Sequence, residues 1–338
     1  MLDITDLLYR ALEVGSLSDD LSGVSFVERR PPPVPHDGVL IRVKAAALNY
    51  PDVLMTQGRY QFKPDLPFVP GMESSGEVVA VGSAVDKVKP GDRVVAMTRH
   101  GALSEFLLAR VDEVRVLPAS LSWEQGAAFS VAGMTAYVAL VERGQLQRGE
   151  TLLVHGASGG TGLAAVQLGK YLGAQVIATG RSMPKLQVAR DAGADHLIEL
   201  GGDLRGDVLS LTQGRGVDVV FDPIGGEVFD ASMRSLAWGG RLLVVGFVSG
   251  KAGEVRSNYA LIKGVSVVGV RAGEFVRRDP IKGQKSLVAV DTLAAEGILR
   301  PHISTVCPFD QAKDALRLLG SGAVQGKAVV VMPAICAA

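Results

Sequence analysis

Thr151-Leu152-Leu153-Val154-His155 is an apolar run that passes directly into Gly156-Ala157-Ser158-Gly159-Gly160-Thr161-Gly162, and a helical stretch, Leu163 to Leu172, follows. Residues without bulky side chains allow a phosphate to approach backbone N–H groups and a helix N-terminus at close range. Gly159 and Gly162 hold the second and third positions of a G-x-G-x-x-G turn, and Ala157 holds the first. A glycine-rich turn alone is weak, because any strand-to-helix connection can use one. Strand, turn, helix and second strand in succession form the context that marks a dinucleotide's pyrophosphate site.

The second strand ends Ile177-Ala178-Thr179-Gly180-Arg181-Ser182. About 20 residues past the glycine turn, an NAD enzyme carries Asp or Glu for the ribose 2′-hydroxyl. Neither stands at this strand end. Gly180 leaves room, while Arg181, Ser182 and Lys185 offer donors suited to a 2′-phosphate, so the expected cofactor is NADPH. The plainer alternative is a set of solvated charges at a helix start.

The elements that must position these residues show two rhythms. From about Val24 to Leu117, short β-rich runs such as Val39–Val43, Gly76–Val81 and Asp92–Ala96 are separated by Pro and Gly turns, which reads as a mostly β domain. Ser122 and Gln125 have capping-box spacing at the start of a helix. Strand candidates Thr151–His155, Gln175–Thr179, His196–Ile198, Val217–Phe221 and Gly240–Gly246 then alternate with helical lengths. That alternation predicts an α/β doubly wound parallel sheet. Beyond Arg271 come a helix (about Ile281 to Glu296), a Pro-containing extended stretch, a second helix (Phe309 to Gly320) and a strand (Lys327 to Met332). This tail lacks the apolar surface for its own core and is expected to return to the first domain. The expected division is 1–128, 129–270 and 271–338, with the nucleotide domain inserted.

At 338 residues, two cores are expected. The 35 basic and 35 acidic residues cancel without blocks of like charge, which argues against a nucleic-acid or membrane-surface binder and for a small substrate. No apolar run reaches the roughly 18 residues of a membrane span, and Met1 to Arg10 lacks a signal-peptide pattern, so a cytoplasmic location is expected. Only Cys307 and Cys336 are present, which excludes a disulfide framework and any cysteine metal cluster. Cys336 stands one position too late for prenylation.

With these motifs the chain resembles the medium-chain dehydrogenase/reductase superfamily, in its zinc-free quinone oxidoreductase branch related to zeta-crystallin. The carriers are Leu48-Asn49-Tyr50-Pro51-Asp52, Gln57-Gly58-Arg59-Tyr60, Val69 to Gly76, Lys89-Pro90-Gly91-Asp92-Arg93-Val94, Met134-Thr135-Ala136-Tyr137 and His155 to Gly162. The resemblance covers nearly the whole chain and implies a Rossmann domain inserted into a GroES-like catalytic domain. It also implies that Ser158, Gly159, Gly160 and Thr161 hold the pyrophosphate. Gly246, Phe247, Val248, Gly269, Val270 and Arg271 would border the adenosine and nicotinamide ends.

Zinc-dependent relatives carry His where this chain has Met72, Cys close to Asn49, and a four-Cys lobe; none of these is present, so no metal is expected. Without a Lewis acid, a hydride suits acceptors that are already electrophilic, namely quinones or alkenes conjugated to a carbonyl. Asn49, Asp52, Tyr60 and Thr135 match pocket positions of the family. Tyr60 is placed to donate to a developing enolate or hydroquinone oxygen. The structural alternatives stay open: Asn49 and Asp52 as turn formers at a helix start, Tyr60 as a packed aromatic, and Thr135 as a cap near a helix start. His155 and Cys307 read as core. Met55 and Leu200 depart from residues seen in some members and leave substrate assignment open.

The expected activity is NADPH-dependent reduction of quinones or enones. The alternatives are reduction of a 2-enoyl thioester or haloacrylate and, in another class, an NADPH-binding structural or RNA-binding crystallin-like role. The apolar run Val265 to Val270 reads as an edge strand, for which a homodimer is expected.

Overall fold

The structure, a computed structural model, describes residues 8–334; Cys336 and most of the N-terminal stretch read above lie outside the described residues. Among the described residues, those up to Val131 together with those from Ile303 onward form one compact unit, and Ala132–His302 form another.

The first unit opens with a hairpin of β1 (Tyr9–Val14) and β2 (Val24–Arg29), followed by β3 (Gly38–Ala47), α1 (Tyr50–Thr56), β4 (Glu73–Val81), β5 (Arg93–Met97), β6 (Phe106–Arg110), β7 (Val114–Val116) and the start of α2 (Trp123–Tyr137). The second unit carries β8 (Thr151–Val154), α3 (Gly160–Tyr171), β9 (Gln175–Gly180), α4 (Met183–Asp191), β10 (His196–Glu199), α5 (Leu204–Leu211) and β11 (Val217–Asp222). It continues through α6 (Gly226–Ser235), β12 (Leu236–Val244), α7 (Ser257–Lys263), β13 (Ser266–Gly269), α8 (Ala272–Arg278) and α9 (Pro280–Ala295). The chain then re-enters the first unit with β14 (Ile303–Pro308), α10 (Ala312–Gly320) and β15 (Lys327–Val331).

The expected mostly β domain and doubly wound sheet are both present. In the first unit the strand order is β14-β15-β3-β4-β5-β7, with β6 also paired to β3. β3 is buried almost throughout because both of its faces are covered. Val39, Ile41 and Val43 join the main core with Phe106 and Val94, while Ala45 and Ala47 meet Ala127 and Ala128 of α2. Alanines on both sides let the helix backbone approach the sheet closely. The capping box is made as its spacing foretells: Ser122 N–H donates to Gln125 Oε1 (3.0 Å), and Gln125 N–H to Ser122 Oγ (3.2 Å).

In the second unit the order β10-β9-β8-β11-β12-β13 is wholly parallel. The chain leaves β8 toward β9 on one side and meets β11 on the other, so the sheet's switch point lies at the carboxyl ends of β8 and β11. That is where open α/β sheets bind ligands.

One expectation is corrected. The return to the first unit comes at Ile303 and not at Arg271. The stretch 272–302 does find a core, by packing within the second unit. Leu287, Val290 and Leu293 of α9 are buried, and a Cβ at Gly133 would lie 3.0 Å from Val290 and 3.2 Å from Leu299. The other junction, expected after 128, falls inside α2 after Val131.

Candidate functional site

The glycine turn is closed by contacts that require its composition. Gly156 has φ +58°, and a Cβ at Gly162 would lie 2.3 Å from the Gly156 carbonyl oxygen, so the third glycine cannot be replaced without moving backbone. Ala157 N–H donates to Thr179 O (3.0 Å) and Gly159 N–H to Gly156 O (2.9 Å). α3 begins at Gly160, so its first-turn N–H groups, with no acceptor inside the helix, stand at the turn beside Ser158, Gly159 and Thr161. At Gly159 a Cβ would meet only the Gly156 oxygen, at 3.4 Å, which leaves the outer face of the turn open to a phosphate.

At the next strand end, Gly180 closes β9 because a Cβ there would reach within 2.8 Å of the Leu186 side chain. Arg181 is exposed, Ser182 is the N-cap of α4, and Lys185 stands in the helix's first turn. Sequence reasoning missed a neighbour. Glu199, the last residue of β10, pairs in register with Gly180, and its carboxylate accepts the Met183 N–H (2.8 Å) at the start of α4. A carboxylate therefore does stand near the end of the second strand, delivered from the third. Gly246, Phe247 and Val248 follow β12, where Val248 N–H donates to Pro223 O (3.0 Å). Gly269 ends β13, with Val270 and Arg271 after it. All four candidate groups of the second unit thus lie at carboxyl ends of its parallel strands.

The first unit holds a buried polar cluster. Asn49 is the N-cap of α1, and its N–H donates to Asp52 Oδ2 (2.8 Å). The other oxygen of Asp52 accepts the Gly71 N–H (3.1 Å). Asn49 Nδ2 donates to Glu73 Oε1 (3.0 Å), and Lys327 Nζ donates to Asn49 Oδ1 (2.6 Å) and to Glu73 Oε1 (2.7 Å). Glu73 Oε2 takes the Val131 N–H (2.9 Å). Lys327 is 4% exposed, Glu73 1% and Asp52 0%. Burial pushes Asp52 up to about 7, against the pull of its two backbone donors and the Lys327 ammonium, and the Glu73 charge adds to the rise. With one ammonium between two carboxylates, a proton kept on Asp52 leaves the cluster neutral.

This geometry decides between two readings of Asn49 and Asp52. Asp52 has no exposed surface and both oxygens are engaged, so it holds the turn and the helix start rather than touching a substrate. Asn49 has its oxygen and its amide group bound to buried partners. Glu73 and Lys327 complete the set; the only sequence signal for Lys327 was a lone charge opening an otherwise apolar strand. Tyr60 is partly buried and packs against the first unit's core. Thr135 sits two residues from the end of α2, not near a helix start, so the capping alternative is overturned. Asn49, Asp52 and Tyr60 belong to the first unit and Thr135 to the second.

Among the described residues no group of three or more His, Cys, Asp or Glu is placed to hold a metal ion. At the position compared with a zinc site, Met72 offers no suitable donor and Glu73 is bound by Lys327, Asn49 and the Val131 N–H. These residues do not fit a zinc ion.

Residues 35–147 match the alcohol dehydrogenase GroES-like domain family, and residues 160–284 the zinc-binding dehydrogenase family. Quinone oxidoreductase-like protein 2 of Mus musculus is 36% identical over 309 residues, which span 91% of this chain and 87% of the mouse protein. A probable oxidoreductase from Mycobacterium abscessus superposes with a TM-score of 0.88 at 36% identity, covering 96% of this chain and 99% of that one. The Escherichia coli quinone oxidoreductase, solved in complex with NADPH, gives 0.86 at 29% identity, covering 95% and 99%.

Proposed function

The chain belongs to the quinone oxidoreductase branch of the medium-chain dehydrogenase/reductase superfamily, and from that premise we propose that it is an NADPH-dependent, zinc-independent reductase of quinones or α,β-unsaturated carbonyl compounds. The observation that carries this is the open glycine turn at the switch point of β8 and β11, next to a strand end that continues into Arg181. The related E. coli quinone oxidoreductase was solved in complex with NADPH, which supports the reading.

NADPH supplies the hydride when bound. The chain's task is then to hold it and exclude water. Ser158, Gly159, Gly160 and Thr161 receive the pyrophosphate; Gly180, Arg181, Ser182 and Lys185 receive the 2′-phosphate. Gly246, Phe247, Val248, Gly269, Val270 and Arg271 border the rest of the cofactor. Tyr60 is the group of the first unit assigned to donate a hydrogen bond to the oxygen on which charge develops, and Thr135 is the candidate polar group of the second unit. Asn49 and Asp52 hold the start of α1 and the Gly71 turn in the first unit. A donor set without a metal favours acceptors that need no Lewis acid. NADPH oxidation measured with quinones, enones and acyl thioesters, before and after chelation, tests the assignment. A rate confined to enoyl thioesters would move the substrate class, and zinc-dependent turnover would overturn the mechanism.

Cofactor choice rests on opposing groups. Arg181→Ala is expected to weaken NADPH binding roughly 10-fold to 150-fold by removing a charge-assisted contact, and NADH binding hardly at all. Glu199 works in the opposite sense, so Glu199→Gln is expected to raise NADPH affinity several-fold. Titration with both cofactors reads each ratio; equal weakening of both by Arg181→Ala would make Arg181 a solvated charge.

A homodimer is proposed through β13. It is the sheet's edge, and exposed Val267 lies on it. Trp238 on β12 (79% exposed) and Leu261 on α7 (82%) add large apolar surface in the neighbouring elements. Sedimentation is expected to give a dimer and Val267→Lys a monomer; a monomeric wild type at micromolar concentration removes the idea.

A further inference from the structure

His155 is read from sequence as core, and it is fully buried, yet both ring nitrogens are engaged by side chains from different elements. Nδ1 lies 2.7 Å from Thr179 Oγ1 on β9, and Nε2 lies 2.6 Å from Ser232 Oγ on α6. The proton positions follow from the last link. Ser232 Oγ donates its hydrogen to Val228 O (2.7 Å), so toward His155 it accepts. Nε2 therefore carries the ring proton, and Nδ1 accepts from the Thr179 hydroxyl. The result is a directed chain from Thr179 through His155 and Ser232 to the Val228 carbonyl.

Its location gives the chain a use. His155 directly precedes Gly156, and its backbone N–H is bound to Phe221 O of β11 (3.0 Å). Thr179 grips the turn twice, through its hydroxyl to His155 and through its carbonyl to the Ala157 N–H (3.0 Å). Gly156, at φ +58°, is the residue held between those two bonds. Thr179 also directly precedes Gly180 and Arg181. A shift of the Thr179 side chain would therefore move the glycine turn and the β9 end together.

We propose that His155 is a positioning residue for nucleotide binding: as a neutral hydrogen-bond relay it sets the spacing between the glycine turn after β8 and the strand end of β9. This rests on the nucleotide reading above. Burial drives the ring's pKa down to about 3, so the relay stays uncharged through the neutral range and contributes geometry rather than attraction for a phosphate. It should therefore matter to both NADPH and NADH, whose pyrophosphates are the same, unlike Arg181, which bears on NADPH alone.

The test is equilibrium titration of both cofactors, with melting temperatures measured in parallel. Thr179→Val keeps the side-chain volume and removes the donor; it is expected to weaken both cofactors about fivefold to tenfold. His155→Leu removes both bonds and is expected to weaken both by tenfold or more. His155→Asn, whose Oδ1 accepts at the Nδ1 position, is expected to recover most of the loss. If His155→Leu does not fold, Thr179→Val and His155→Asn carry the comparison. Variants that melt lower yet bind both cofactors within twofold of wild type would overturn the relay and leave His155 as core filling. Loss of NADPH alone would also overturn it. A wild type that binds neither cofactor would instead remove the nucleotide reading and this inference with it.

Discussion

Lys327→Met is expected to destabilise the protein by about 3–5 kcal/mol, the range for removing one partner of a buried ion pair. The methionine fills similar volume, so the loss is electrostatic. It leaves Glu73 and the Asn49 oxygen without their donor in surroundings that exclude water. The consequence spreads because Glu73 also holds the Val131 N–H of α2, and Asn49 caps α1. Denaturant unfolding of wild type, Lys327→Met, Glu73→Gln and the double variant closes a mutant cycle. The double variant is expected to recover part of the loss, since neither charge is then stranded. Additive losses would show that the two side chains do not interact, and a Lys327→Met protein as stable as wild type would show that the ammonium reaches water.

The second large effect is in the pH dependence of stability, where two buried groups act in opposite senses. His155 is held at about 3 against an ordinary 6.5. Between those values the unfolded chain takes up a proton that the folded chain refuses. Its contribution is therefore complete above pH 6.5 and falls by about 1.4 kcal/mol per unit toward pH 3, about 5 kcal/mol in all. Asp52 is raised from 3.8 to about 7. Its folded form keeps a proton the unfolded chain has lost, so stability present below pH 3.8 is lost as the pH rises to about 7, by about 4 kcal/mol. Over the shared window the two slopes offset each other in wild type.

Variants separate them. Asp52→Asn is expected to gain stability with rising pH across the window more steeply than wild type, and His155→Leu to lose it. The slope is the quantity to compare, because an Asn amide cannot accept both the Asn49 and Gly71 N–H groups and carries a constant penalty at every pH. Urea unfolding midpoints at several pH values between 4 and 8 measure the slopes. Parallel slopes in all three proteins would mean that neither group is perturbed as its burial implies.

The sequence by itself determined the features whose causes are local. The glycine turn was legible because tight closure at Gly156 and Gly162 excludes side chains, and that exclusion is written in residue type alone. The Ser122–Gln125 cap, the two domain rhythms and the apolar edge strand were legible for the same reason: capping, periodicity and turn chemistry act over a few residues. The place of 272–302 was not, because an amphipathic helix shows that it needs a partner without showing which one. Asn49 and Asp52 could be read from sequence as pocket residues or as turn formers at a helix start, and which of the two holds depended on Glu73 and on Lys327, 278 residues from Asn49 in the chain. Glu199 reached the end of β9 only through the strand order. His155 was recognised as buried, while its partners Thr179 and Ser232, 24 and 77 residues away, were supplied by the packing of β9 and α6 around β8. Tertiary structure decided these because a buried polar atom must find a partner, and the identity of that partner is set by which distant elements fold against it.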